Sequence, residues 1–425
     1  MTQPTPRVPL AEAIFLGLGS MVGAGAFIVW SPVLPLVGEG IWVSLVIAAL
    51  AAFCHAVAAA QIAARSRLPA AESSGQDGLG AIWGFLGAWG FVVSGISGAA
   101  VMAKTLAAYL TPGGWSPQLF GILVVVLLAA AAYRGVSLTL AATRGITVIV
   151  VGVLLALAVT NEMPATPGDM TSAWSGRFLD GYGLLQAGGL VFFAFIGYTR
   201  MAALSRVTDR PSRSIPWAIL AALVATVALY GGIGQSLLNR LNPRQLITSA
   251  APLMDAAAAG PYPMLIWVAR IGVALAVGAA LLSVLAGTAR TVAALADNRD
   301  LPRILTERHL AYRTPYVALA VLTVAISLLI GLPDDWVSLR FGLGLASAGI
   351  LFAAWIANLA AFRQEAARFS PRALQLAGLV LSSLLLVTLP WQALLVAAML
   401  VGLGAATRTL TRVWPPGPVR PEVRR

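Results

Sequence analysis

The stretch Ala13-Ile-Phe-Leu-Gly17-Leu-Gly19-Ser20-Met21-Val-Gly23-Ala24-Gly25-Ala-Phe27 decides how this chain is read. It lies inside an apolar run long enough to cross a bilayer, which takes about 20 residues. Yet glycine occupies positions 17, 19, 23 and 25. Each glycine costs up to about 1 kcal/mol relative to alanine within a helix. Unwound backbone at membrane depth is tolerated only where it is buried in protein or lines a cavity. There, N–H groups at the start of the outer half-helix can hold a carboxylate, and glycine lets a ligand approach the backbone closely. Close packing of small residues between helices would use the same glycines. On this stretch alone the two readings balance.

Working outward, the chain has 425 residues, of which 59% are hydrophobic and only 10% charged. Ordinary soluble domains carry roughly 25% charged residues, so this composition cannot cover a water-facing surface. Further apolar runs bring the total to about twelve, at 11–36, 41–65, 81–110, 118–133, 139–160, 182–203, 214–236, 262–292, 314–331, 336–361, 372–389 and 391–411. The fold class is all-α, a single polytopic membrane domain.

The net charge of +12 would suggest nucleic acid in a soluble protein. Here the arginines sit in short connections between apolar runs, which is how orientation is set. With the N-terminus in the cytoplasm, all but six of the 28 basic residues fall on the cytoplasmic side, the six being Lys104, Arg177, Arg240, Arg244, Arg270 and Arg340. An even span number returns the C-terminus to that side. The expected location is the cytoplasmic membrane, with both termini inside and lipid, not nucleic acid, as the surrounding partner. Two outer connections, Asn161–Gly181 and Ser236–Tyr262, are long and carry polar and proline residues; they either lie over an outward vestibule or are ordinary surface loops. No cleavable signal peptide is evident. One cysteine, Cys54, allows no intrachain disulfide, and His55 and His309 lack metal-ligand spacing. No metal and no cofactor are expected.

A second interruption changes the balance. The sixth run reads Gly188-Gly189-Leu-Val-Phe-Phe193-Ala194-Phe195-Ile196-Gly197-Tyr198-Thr199-Arg200. Matching interrupted spans in two halves point to an inverted repeat with a site between them. Repeat one would cover 11–160, repeat two 182–361, and two further helices 372–411.

In its motifs the chain resembles the amino acid–polyamine–organocation transporters. The resemblance rests on the first-run Gly19–Phe27 segment and on Leu79-Gly-Ala-Ile-Trp-Gly-Phe-Leu-Gly-Ala-Trp89. It also rests on Phe192–Tyr198 leading to Arg213-Ser-Ile-Pro-Trp-Ala-Ile219. The last segment is Gly287-Thr-Ala-Arg-Thr291, followed by Asn298-Arg-Asp-Leu-Pro302 and Thr314-Pro315. These stand in family order over the first nine runs; the last three match in hydropathy alone. The resemblance implies a five-plus-five inverted-repeat fold with discontinuous helices 1 and 6, and an amino-acid-like substrate. By that carry-over the backbone around Ser20, Met21, Gly23, Ala24 and Gly25 would take the substrate carboxylate. The backbone around Phe193, Ala194, Ile196 and Gly197 would take its amino group, with Phe193 or Phe195 as an aromatic gate. Relatives often carry an acidic residue shortly after the sixth-span glycine, whereas Tyr198-Thr199-Arg200 stands here. Sodium coupling in this fold usually uses adjacent hydroxyls on the eighth span; Ser283 stands alone with Thr288 beyond it, so sodium independence is expected.

Ionisable residues inside a membrane are functional candidates by default. Lys104, the only lysine, either snorkels to the outer interface or serves as a vestibule or coupling group. His55 is either a packing histidine or a proton relay, and Ser283 is a further coupling candidate. No carboxylate falls securely at mid-membrane. A desolvated cation would then lack a partner, which favours neutral, apolar amino acids, moved by exchange or by proton coupling. The alternative is another organic solute, such as a polyamine, organic cation or nucleobase, on the same fold. An enzyme would need convergent acid, base or nucleophile groups, and a channel a continuous polar lining; neither is present. The sequence is compatible with a homodimer.

Overall fold

A computed structural model describes residues 10–64, 79–136, 139–162, 180–203, 211–262, 264–333, 337–364, 368 and 370–413. Arg7, Arg65, Arg67, Arg177, Arg206, Arg210, Arg420, Arg424 and Arg425 lie outside the described residues, as does most of the Asn161–Gly181 connection. The described residues are mostly helical, with no strand among them. In chain order the α-helices are α1 (Leu10–Met21), α2 (Gly25–Ile28), α3 (Trp30–Val37), α4 (Ile41–Ala63), α5 (Ala81–Leu110), α6 (Pro117–Tyr133), α7 (Leu140–Glu162), α8 (Gly181–Phe192), α9 (Tyr198–Ala203), α10 (Pro211–Arg240), α11 (Pro243–Thr248), α12 (Pro252–Ala258), α13 (Leu265–Asp297), α14 (Tyr316–Gly331), α15 (Leu339–Arg363), α16 (Arg372–Val387) and α17 (Trp391–Val413). Among the described residues, seven segments are long and apolar enough to cross a membrane, and five shorter apolar ones accompany them.

The molecule is apolar outside as well as inside. Val148, Val224, Leu328, Met399 and Leu403 are all more than half exposed. In water such a surface would drive association; in lipid it is the matching face, and the helices satisfy their own backbone groups. The interior is built from small residues. Gly90 of α5 and Gly349 of α15 bring two backbones together so closely that an added Cβ on Gly349 would sit 2.5 Å from the Gly90 carbonyl oxygen. That close approach substitutes for a hydrophobic driving force between membrane helices.

Two readings of the sequence need correction. The first interruption is narrower than Gly17–Gly25. Helix α1 runs unbroken through Gly17 and Gly19, and the chain unwinds only over 22–24. Gly17 and Gly19 pack instead, against Met201 and Thr147. Likewise Ser236–Tyr262 is not an ordinary surface loop. Helix α10 continues to Arg240, and α11 and α12 fill much of the remainder. The cause is local: Asn242 caps α11, accepting from the Gln245 N–H at 2.8 Å while Gln245 Oε1 accepts from the Asn242 N–H at 3.1 Å. Pro243 and Pro252 occupy first-turn positions, where a missing N–H costs nothing.

Near the end of α13, on the arginine-rich side that carries Arg299, Arg303, Arg308 and Arg313, a buried charge cluster ties the last helix to the body. Asp300 is 2% exposed in its side chain and receives Arg408 Nε at 2.7 Å and Arg412 Nη2 at 2.9 Å. The Arg408 guanidinium also lies over the Phe85 ring, 5.4 Å from its centroid.

Candidate functional site

The two interruptions meet. Between α8 and α9 the chain passes through a 3-10 turn at Phe193–Phe195 and a turn at Ile196–Gly197. Gly197 lies flat against the first interruption: an added Cβ there would stand 2.2 Å from both the carbonyl carbon and oxygen of Ser20. Reciprocally, a Cβ on Gly25 would stand 2.3 Å from Ala194 Cβ and 2.7 Å from its Cα. Real Cβ contacts do not come this close, so both positions require glycine for the crossing itself. Gly23 differs, since a Cβ there would meet nothing closer than Ala280 Cβ at 3.7 Å.

Freed backbone groups at the crossing are taken up by side chains, as an interrupted membrane helix demands. Ser20 Oγ lies 2.9 Å from the carbonyl oxygens of both Gly17 and Gly197, so its one proton is shared between its own helix and the second interruption. Tyr230 on α10 donates its hydroxyl to the Met21 carbonyl at 2.7 Å. Trp30 Nε1 donates to the Ala26 carbonyl at 2.6 Å, and its ring meets Tyr230 edge-on at 5.9 Å. Among the described residues no acceptor faces the N–H groups of Gly23, Ala24 or Gly25.

Gly23, Ala24 and Gly25 border a cavity of about 290 Å³. Its walls include Ser20, Met21, Gly23, Ala24, Gly25, Phe193, Ala194, Ile196, Gly197 and Ser283. Small-molecule sites typically start near 300 Å³, so this one suits a small solute. One candidate stands apart: Phe195 does not line it and is fully buried against Tyr230, ring centroids 5.9 Å apart. A 3-10 helix turns once in three residues, so positions 193 and 195 cannot face the same side. Phe193 does line the cavity and covers Gly98 of α5.

The cavity follows one face of α13, through Ala276, Ala280, Ser283 and Gly287 to the exposed Arg290, a length of about 20 Å at helical rise. Phe27 and Tyr109, both 1% exposed, meet edge-on at 6.1 Å near Gly272, beyond the cavity's other end. The cavity therefore opens at the Arg290 end. Apart from Arg290, its described lining holds no charged residue and no histidine.

His55 and Lys104 lie elsewhere. His55 on α4 is buried, and its Nδ1 is hydrogen-bonded to the hydroxyl of Tyr198, which opens α9. It braces the second interruption from behind and does not line the cavity. Lys104 borders a separate cavity of about 790 Å³ together with Ser31, Gln118, Ser249 and Arg340, and donates to the Val337 carbonyl at 3.0 Å. Ser283 lines the central cavity while donating to the Ala279 carbonyl at 2.9 Å. Sequence reasoning missed Tyr230, Thr143, Thr147, Thr199 and Arg290, all of which touch the crossing or the cavity.

A family profile described as amino acid permease matches residues 10–412. The chain belongs to the amino acid permease family. It is 35% identical over 413 residues to an uncharacterized transporter of Mycobacterium tuberculosis, covering 96% of this chain and 91% of that protein. Similarity of 23% extends over 80% of the chain and 78% of the branched-chain amino acid permease BcaP of Bacillus subtilis. The human cationic amino acid transporter 4 is 25% identical over 76% of the chain and 55% of its own length. This permease is thus a multi-pass membrane transporter of a family that moves amino acids, not an enzyme.

Proposed function

We propose that this permease carries neutral, apolar amino acids by alternating access, through exchange or proton coupling. In this reading the substrate carboxylate sits on the unpaired N–H groups of Gly23, Ala24 and Gly25. Its amino group meets carbonyls of the Phe193–Gly197 turn, and Phe193 closes over it. Twelve spans, a five-plus-five inverted repeat and cytoplasmic termini complete the reading, with the Arg290 end of the cavity facing the cytoplasm.

The observation that carries it is the cavity at the crossing, walled by both interruptions and holding no carboxylate among its described residues. A zwitterion supplies its own negative charge to the backbone N–H groups. A second, side-chain cation would find no buried acid and would lose its hydration unrepaid. The resemblance to BcaP agrees with a branched apolar side chain. Similarity to a methylthioribose transporter of Bacillus subtilis, 21% identical over 72% of the chain, favours as second reading a neutral non-amino-acid solute.

The test is uptake of labelled amino acids into proteoliposomes preloaded with single amino acids, with and without sodium and a pH gradient. Stimulation by preloaded leucine, isoleucine or valine is expected, with no requirement for sodium. No stimulation of any amino acid by any preload or gradient refutes the reading, and uptake of methylthioribose alone replaces it with the second.

A further inference from the structure

On the route from the crossing to the arginine-rich face stands Arg290, which has no ion-pair partner among the described residues. Arg290 lies ten residues beyond Ala280 on α13, about 15 Å along the helix, and Ala280 is level with Gly23. A small amino acid held at the crossing is therefore out of its direct reach. Arg290 is exposed and lines both the central cavity and an adjoining one of about 500 Å³ that Tyr312, Arg313 and Thr314 border.

The described acids on this face are all engaged elsewhere. Glu12 pairs with Arg144, Asp297 with Arg308, and Asp300 with Arg408 and Arg412, while Glu307 accepts from the Tyr316 hydroxyl. Among the described residues none forms an ion pair with Arg290. The second wall charge, Arg313 in the adjoining cavity, has the same sign. Walls of one charge around a narrow opening focus the field along it.

We propose that Arg290 is the charge-selecting residue of this mouth. It engages the carboxylate of an amino acid passing between the crossing and the arginine-rich face, and it turns away amino acids of net positive charge. The proposal rests on the amino acid permease reading above and adds a transit position to it. The discrimination is kinetic and belongs to one face only. A unit charge about 10 Å away, in surroundings between water and protein surface, changes occupancy on the order of two- to tenfold, and molar salt, with a Debye length of about 3 Å, removes the effect.

The experiment measures KM for leucine and arginine on each face of proteoliposomes of determined orientation, at low and at molar salt. Wild type is compared with Arg290→Gln and Arg290→Glu. On the arginine-rich face, the arginine-to-leucine KM ratio is expected to fall two- to tenfold in Arg290→Gln and further in Arg290→Glu. On the opposite face it stays unchanged, and molar salt makes the three proteins converge. Retained leucine-induced thermal stabilisation shows each variant folded with its central site intact. Where wild type carries leucine but both variants keep its ratio on that face, or shift it equally on both faces or at molar salt, the role of Arg290 is overturned alone. A wild type that carries no amino acid overturns the permease reading and this role with it.

Discussion

Three alanine substitutions separate the crossing from ordinary helix packing. Gly197→Ala places a methyl 2.2 Å from the Ser20 carbonyl group and 2.6 Å from the Met21 nitrogen. Ordinary carbon contacts lie near 3.5–4.0 Å, so the two interruptions must part by more than about 1 Å. The obstructing atoms are backbone already fixed by Ser20, Tyr230 and Trp30, and no side chain can swing aside. Overpacking against movable side chains costs about 1–3 kcal/mol; here the cost should reach the top of that range. Gly25→Ala meets Ala194 at 2.3 Å and Tyr230 Oη at 2.9 Å, with a similar penalty. Gly23→Ala meets only ordinary contacts at 3.7 Å and beyond, while it removes backbone freedom from the unfolded chain. At a compatible backbone conformation that is worth about 0.4–1 kcal/mol in the opposite direction. Thermal unfolding of the purified protein in one detergent reads the order: Gly23→Ala at or above wild type, Gly25→Ala and Gly197→Ala well below. Equal melting temperatures for Gly23→Ala and Gly197→Ala would refute the account of the crossing.

Other outcomes follow from single contacts. Tyr230→Phe leaves the buried Met21 carbonyl without its donor and should lower stability by about 1–3 kcal/mol, again by melting temperature. Asp300→Ala strands the buried Arg408 and should cost about 3–5 kcal/mol, whereas Arg412→Ala, removing the partner that is 47% exposed, should cost at most about 1 kcal/mol; similar losses in both would contradict the burial argument. Glu12→Gln breaks a pair whose arginine is 47% exposed, and transport at molar salt should be the same with or without it.

Much of the architecture was legible because membrane depth imposes length. The run read as 81–110 is helix Ala81–Leu110, and the run at 118–133 is Pro117–Tyr133. What hydropathy could not resolve was the function of each glycine. Gly17, Gly19, Gly23 and Gly25 look alike in sequence, yet the first two accommodate Met201 and Thr147, the third borders open space and the fourth meets Ala194. That distinction is made by partners more than 100 residues away. Tyr230 was missed for the same reason, since its role depends on a carbonyl 209 residues distant. Phe193 and Phe195 were separated only by the local 3-10 winding. The short helices after Arg240 were readable in principle: Asn242-Pro243 with Gln245 is a helix start, obscured by the general polarity of the segment.

The central claim is that backbone at the paired interruptions holds a carboxylate in a cavity whose described lining carries no acid. Competition for labelled leucine uptake into proteoliposomes addresses it most directly, using isoleucine, arginine and leucinamide, which lacks the carboxylate. The account predicts that isoleucine competes fully while leucinamide and arginine compete far more weakly, only at much higher concentration. Leucinamide or arginine competing as well as isoleucine would contradict it.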